Sequence, residues 1–221
     1  MDKSTWSRER IATYESGKGL LICLVALSLL GGVTWLFFIK GLYLLPEKMC
    51  QGTLERSVVT RVLANARSAH EGSDSRGVGE NLHFSCYVTT SNDSGISGEA
   101  RVQPVSSEEW LTHYEEKTGG QKKVVHVTLG DIEALAQIDD SEGTSSVYIP
   151  CRPPAVPEYN ASEPYGIYGE ARVEGSAKIT GGPLRQTVTD FAYQLTRRAY
   201  ELAECKDTRD FPAELPRYQG E

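Results

Sequence analysis

The run Leu20–Ile39, LLICLVALSLLGGVTWLFFI, constrains this chain more than any other stretch: it holds no charged residue and lies between Lys18 and Lys40. Such a run, helical at about 1.5 Å per residue, is about 30 Å long, the thickness of a bilayer's hydrocarbon core. A core helix of a water-bathed domain carries a polar face. This run has only the hydroxyls of Ser28 and Thr34, which bond back to carbonyls within a helix. Trp35, Phe37, Phe38 and Tyr43 gather at its C-terminal end, as an interfacial aromatic belt would. The reading is an uncleaved transmembrane signal anchor over 19–45, with the lipid bilayer as the partner of Leu20–Ile39. A cleaved signal peptide is the rival, but it needs a shorter apolar region and a small-x-small cleavage site, and GLYLLPEKM offers none. Ser28 and Gly32, four residues apart, would let two such helices approach closely, which keeps a homodimer or another protein partner open.

The charge balance falls on the far side of that run. The whole chain has 221 residues and a net charge of −7. The first 45 residues hold five basic and three acidic residues, leaving 18 basic against 27 acidic in the rest, a net of −9. An acidic domain of this size argues against nucleic acid as a partner. It is also long enough to bury a core of its own.

The cysteines orient the chain better than its flanking charges do. Cys23 lies within the apolar run, while Cys50, Cys86, Cys151 and Cys205 all lie beyond it. An even number in an exported domain reads as two disulfides. A zinc site is the rival, but no Cys-x-x-Cys spacing occurs. The disulfide reading places the N-terminus in the cytoplasm and the domain outside it, in a single-pass protein of the plasma membrane. Four cysteines allow three pairings.

Taken in order, residues 1–18 read as a cytoplasmic tail, 46–210 as one extracytoplasmic α+β domain and 211–221 as a C-terminal tail over the surface. Thr53 is a candidate N-cap, and Leu54, Val58, Val62, Leu63 and Ala66 repeat at helical spacing, which predicts a long helix from Leu54 to Ala69. HEGSDSRGVGE reads as a loop. Leu82, Phe84, Cys86 and Val88 alternate as a strand, and ISGEARVQPV as its hairpin partner. Ser106 and Glu109 form a capping box before a short helix. KKVVHVTLG, SSVYIPC and IYGEARVEGSAKI read as strands, whereas GDIEALAQIDDSEGTSS is left between a short helix and an acidic turn. After Gly181-Gly182-Pro183, the residues Leu184, Val188, Phe191, Leu195, Ala199 and Leu202 mark a second long helix, with Arg185, Asp190, Arg197, Arg198 and Glu201 on its polar face. The fold class is α+β, a single transmembrane helix followed by a mostly antiparallel sheet packed by two long helices. The local pairs Cys50–Cys86 and Cys151–Cys205 rank first, since each ties a long helix to a nearby strand. Each closed loop then contributes about 3–4 kcal/mol.

These residues carry a resemblance. Cys50-Gln-Gly52-Thr-Leu54 before a helix, Cys86 on the next strand, Pro150-Cys151 at a strand end and a final helix from Phe191 to Cys205 resemble uncharacterised membrane-anchored extracytoplasmic proteins of actinobacteria. A more distant likeness is to the disulfide-stapled extracellular sensor domains of actinobacterial serine/threonine kinases. The resemblance spans Cys50 to Cys205. It implies four structural cysteines and brings no catalytic residue.

Chemical motifs are scarce. There is no Gly-x-Ser-x-Gly elbow, no phosphate-binding Gly-x-x-x-x-Gly-Lys and no His-Glu-x-x-His. Gly77-Val-Gly79 reads as a turn. His70, His83, His113 and His126 are isolated, and Asp139, Asp140 and Glu142 lack the pattern of a calcium loop. Glu108, Glu109, Glu115 and Glu116 read as a helix's polar face. Asn92-Asp-Ser94 and Asn160-Ala-Ser162 match the glycosylation triplet. No catalytic residue, cofactor or metal is expected. The functional expectation is a binding or scaffold module presented at a membrane, with an accessory subunit of an envelope or secretion assembly, or an extracytoplasmic enzyme, as alternatives.

Overall fold

A computed structural model describes residues 19–33, 41–117, 124–137, 143–154, 156 and 162–218. Its centre is a seven-stranded sheet whose pairings are all antiparallel. A two-stranded ribbon of β1 (Lys48–Met49) and β2 (Leu54–Glu55) comes before it in the chain. The sheet strands are β3 (Ala69–Arg76), β4 (His83–Thr90), β5 (Gly95–Gln103), β6 (Val124–Leu129), β7 (Ile132–Gln137), β8 (Thr144–Pro150) and β9 (Gly166–Glu174). They lie in the order β3-β4-β5-β9-β8-β7-β6, so two meanders meet where β5 pairs with β9. The helices are α1 (residues 19–33), α2 (Arg56–Val62), α3 (Ser107–Lys117) and α4 (Gly181–Leu202).

Alternation along the strands sets two faces. Phe84, Cys86, Val88, Ile96, Ala100, Val147, Ile149, Ile167 and Ala171 are buried on the front. They meet Leu184, Val188, Phe191, Leu195 and Ala199, the helical stripe of α4. Gly98 and Gly169 let α4 lie close. A methyl on Gly98 would run into Leu195, and one on Gly169 into Thr196. On the back, α3 covers only part of the sheet, with Trp110 and Tyr114 packed on Leu135 and Tyr148. Trp110 Nε1 donates to Ser146 Oγ at 3.0 Å on this side, while the adjacent Ser145 accepts from Thr189 of α4 at 2.8 Å on the other.

Several sequence expectations need correction. The transmembrane anchor is the largest: among the described residues no helix is long and apolar enough to cross a membrane. Helix α1 is described over residues 19–33. The end of the expected 19–45 segment belongs to the domain instead. Gly41–Leu44 forms a 3-10 turn, Gly41 N–H donates to Ala66 O at 3.1 Å, and Leu42 and Leu45 are 1% and 5% exposed. The single-pass plasma-membrane placement falls with that span. Trp35, Phe37, Phe38 and the tail 1–18 lie outside the described residues.

Only one long helix packs the sheet, not two. The helix expected over Leu54–Ala69 is α2, seven residues long. Val58, Val59, Thr60 and Val62 are β-branched and weak helix formers. At Leu63 the chain turns extended, bridges to Ala177 and accepts Lys178 N–H on Val62 O at 2.7 Å. Thr53 is no N-cap, since its hydroxyl donates to Cys50 O at 2.9 Å and Glu55 holds the cap position. The expected loop at 70–80 is largely strand β3, an edge strand whose polar side chains give no alternation to read. The undecided stretch after Gly130 is β7, with Ile132, Ala134 and Ala136 buried, reached by a two-residue turn in which Gly130 takes φ +66°. Asp139, Asp140 and Glu142 lie outside the described residues.

The C-terminal segment does not trail over the surface. Leu215 is 5% exposed, Phe211 packs edge-on against Tyr200 at 5.1 Å, and Tyr193 Oη donates to Pro212 O at 2.8 Å. Tyr218 reaches Thr189 Oγ1 at 3.0 Å. This strap buries part of the expected polar face of α4, so Arg185 is only 4% exposed.

Candidate functional site

The four cysteines of the domain form Cys50–Cys86 and Cys151–Cys205, with Cα atoms 5.5 Å and 5.4 Å apart. The first pins the N-terminal arm to the front of β4. The second pins the residue after β8 to the end of α4. Both are frame rather than chemistry. Cys23 is free and exposed on α1.

The histidines do not converge. His83 and Cys86 lie on opposite faces of β4, as their spacing requires. On the open back face, His83 Nε2 lies 3.1 Å from Glu99 Oε2, and Arg101 Nη2 donates to Glu99 Oε1 at 2.5 Å. Burial pushes the Glu99 carboxyl up, but His83 and Arg101 outweigh it and hold the group below its usual range. His126 faces Glu133 at 3.1 Å. Glu133 sits between His126 and Ser107 and accepts the Ser107 hydroxyl, so the order differs from a Ser-His-Asp triad, in which the imidazole lies in the middle. No cluster of three or more metal-ligating side chains occurs among the described residues. Asn92 and Ser94 of the glycosylation triplet bond each other at 2.9 Å within the β4–β5 turn, and Ser94 is buried. Asn160 lies outside the described residues. Glu109 serves the capping box, accepting Ser106 N–H at 2.8 Å.

Among the described residues, two clefts border α4. One of about 390 Å³ runs between the end of α4 and residues 204–211. Two of its charges are paired: Arg209 binds Asp131, with Nη2 to Oδ2 at 2.7 Å, and Asp207 accepts Arg152 Nε at 2.9 Å. Hydrogen bonds from these arginines hold Asp131 and Asp207 below the usual aspartate range. That cleft is a strap fastened to the sheet.

The second cleft, of about 300 Å³, is built by three separate parts of the chain. The N-terminal arm and α2 supply Glu55 and Arg61, α4 supplies Asp190, Tyr193 and Gln194, and the strap supplies Glu214. Asp190 is half-buried and accepts Gln186 Nε2 at 2.9 Å. Burial raises its carboxyl above the usual aspartate range. The nearby Glu214 adds to this, while the Gln186 hydrogen bond, Arg217 and Arg61 oppose it. Burial likewise pushes the Tyr193 phenol up to about 12, so it stays a neutral donor held on Pro212. Three carboxylates against one arginine, beside aromatic walls, make an acceptor-rich cleft. Such a site holds a ligand by its N–H and O–H groups.

Sequence reasoning placed Asp190 on a polar helix face but did not single it out. The residues that half-bury it come from positions more than 100 residues earlier and more than 20 later. Compared with known proteins, the chain matches no family model, no curated protein and no solved structure.

Proposed function

We propose that this chain is a disulfide-stapled binding module that works in an oxidising compartment and takes a small, polar, amine-bearing ligand in the cleft around Asp190. The observation that carries the reading is a half-buried carboxylate, raised by burial, in the lining of an acid-leaning cleft. A cation or ammonium donor offsets the cost of ionising such a group. The cleft's volume suits a ligand the size of one sugar or amino acid. Two disulfides support the compartment, because such bonds persist where thiols are not kept reduced. Binding is favoured over catalysis because the cleft has no nucleophile held by a base.

Isothermal titration of the full chain with glucosamine and with glucuronate tests this reading on rings of the same size and opposite charge. Glucosamine is expected to bind at least about tenfold more tightly, a difference of about 1.4 kcal/mol, and Asp190→Asn to abolish the preference. Equal binding of both sugars would overturn it.

A further inference from the structure

The two edges of the sheet are built differently. On β3 the sequence AHEGSDSR places Glu71, Asp74 and Arg76 along the edge, and the N-terminal arm lies against it, with Cys50 Sγ 3.6 Å from Gly72 O. Charges and a covering segment are the ways proteins blunt an edge strand. On β6 the sequence VVHVTL has no Asp, Glu, Lys, Arg, Pro or Gly, and five of its six residues are β-branched or leucine. His126, Thr128 and Leu129 are exposed, and Val124, Val125 and Val127 half-buried. Pairing with β7 along its full length uses the N–H and C=O groups of alternate residues and turns the others outward. Among the described residues, no group outside β7 bonds to that outward row.

We propose that β6 is a homodimer edge, on which a second copy of this chain pairs β6 against β6 in antiparallel fashion. Two features favour a second copy. A two-fold axis sets the residue beside it opposite its own copy and pairs the others with residues of the same strand, so a charge on β6 would find no opposite charge to meet, and β6 carries none of Asp, Glu, Lys or Arg. Head-to-tail pairing needs β3 as the other edge, and that edge is covered and charged. An unrelated extended peptide also needs side-chain pockets beside the edge for specificity, but the Asp190 cleft is built from residues 52–61, 187–194 and 213–214. A two-fold axis normal to the sheet keeps each face continuous, so it passes beside either His126 or Val127, each then opposite its own copy. Six residues per edge bury less than a standard interface, so the dimer is reversible and concentration-dependent. This proposal is independent of what the cleft binds.

The test uses the full chain carrying Cys23→Ser, which removes the one free thiol. Analytical ultracentrifugation over a concentration series is expected to rise from 24.3 kDa to about twice that mass. Thr128→Lys, at an exposed position, is expected to weaken the dimer by at least about tenfold, because an edge lysine opposes pairing, while leaving the melting temperature unchanged. Oxidation of His126→Cys or Val127→Cys is expected to trap a covalent dimer, since directly paired Cα atoms lie about 4.5–5.5 Å apart, within disulfide reach. Ser73→Cys, on the β3 edge, is expected to trap none. A monomer at every concentration, or a dimer that survives Thr128→Lys and is not trapped at 126 or 127, would overturn the proposal.

Discussion

Asp190 shows how one residue's environment decides its behaviour. Its carboxyl is raised in the folded protein, so the folded state holds the proton more tightly than the unfolded chain does. Ionisation therefore costs stability as pH rises from the ordinary aspartate value of about 3.9 through the raised one. Asp190→Asn removes that cost and keeps an acceptor for Gln186. The variant is expected to melt higher than the parent at pH 7, with the difference vanishing near pH 3.5; melting curves from pH 3.5 to 8 check both limits. A variant that melts lower at pH 7 would show that the charge is compensated. At this scale the sequence was legible where partners are local. Ser106 and Glu109 cap α3 from three residues apart. Arg185 was misread as a surface residue because a strap some 30 positions later covers it.

At the scale of elements, α4 was readable because its apolar residues keep one helical stripe over its whole length. Strand β3 was not, because polar edge strands are held by main-chain bonds to a neighbour rather than by a pattern of their own. α2 was overextended because apolar spacing continues past Val62 to residues that pack in a different conformation. What seats α4 is close approach over Gly98 and Gly169. Gly169→Ala is expected to cost about 1–3 kcal/mol, the usual range for overpacking. The cost should read as a lower urea midpoint with an unchanged slope. A neutral result would mean that α4 shifts freely, and the seat would lose its role.

At the scale of the molecule, two staples fix the ends of the fold to the sheet. Cys50–Cys86 and Cys151–Cys205 span 36 and 54 positions, so each constrains the unfolded chain by about 4 kcal/mol on the chain-entropy account. The paired substitution Cys151→Ala with Cys205→Ala is expected to lower the unfolding free energy by about 2–5 kcal/mol, measured by urea denaturation. A loss below about 1 kcal/mol would assign the strap's own contacts the larger share. Cysteine spacing was legible in the sequence because cross-links leave a countable residue. The membrane span was not decided by hydropathy alone: just after it, Gly41, Leu42 and Leu45 are buried in the domain.

The central claim is that the cleft around Asp190 is the binding site. Amide NMR shifts of the full chain titrated with glucosamine test it most directly. The account predicts shifts clustered at residues 52–61, 187–194 and 213–214 and absent in Asp190→Asn. Shifts clustered instead on the open back face around His83, Glu99 and Arg101, or no shifts at all, would contradict it.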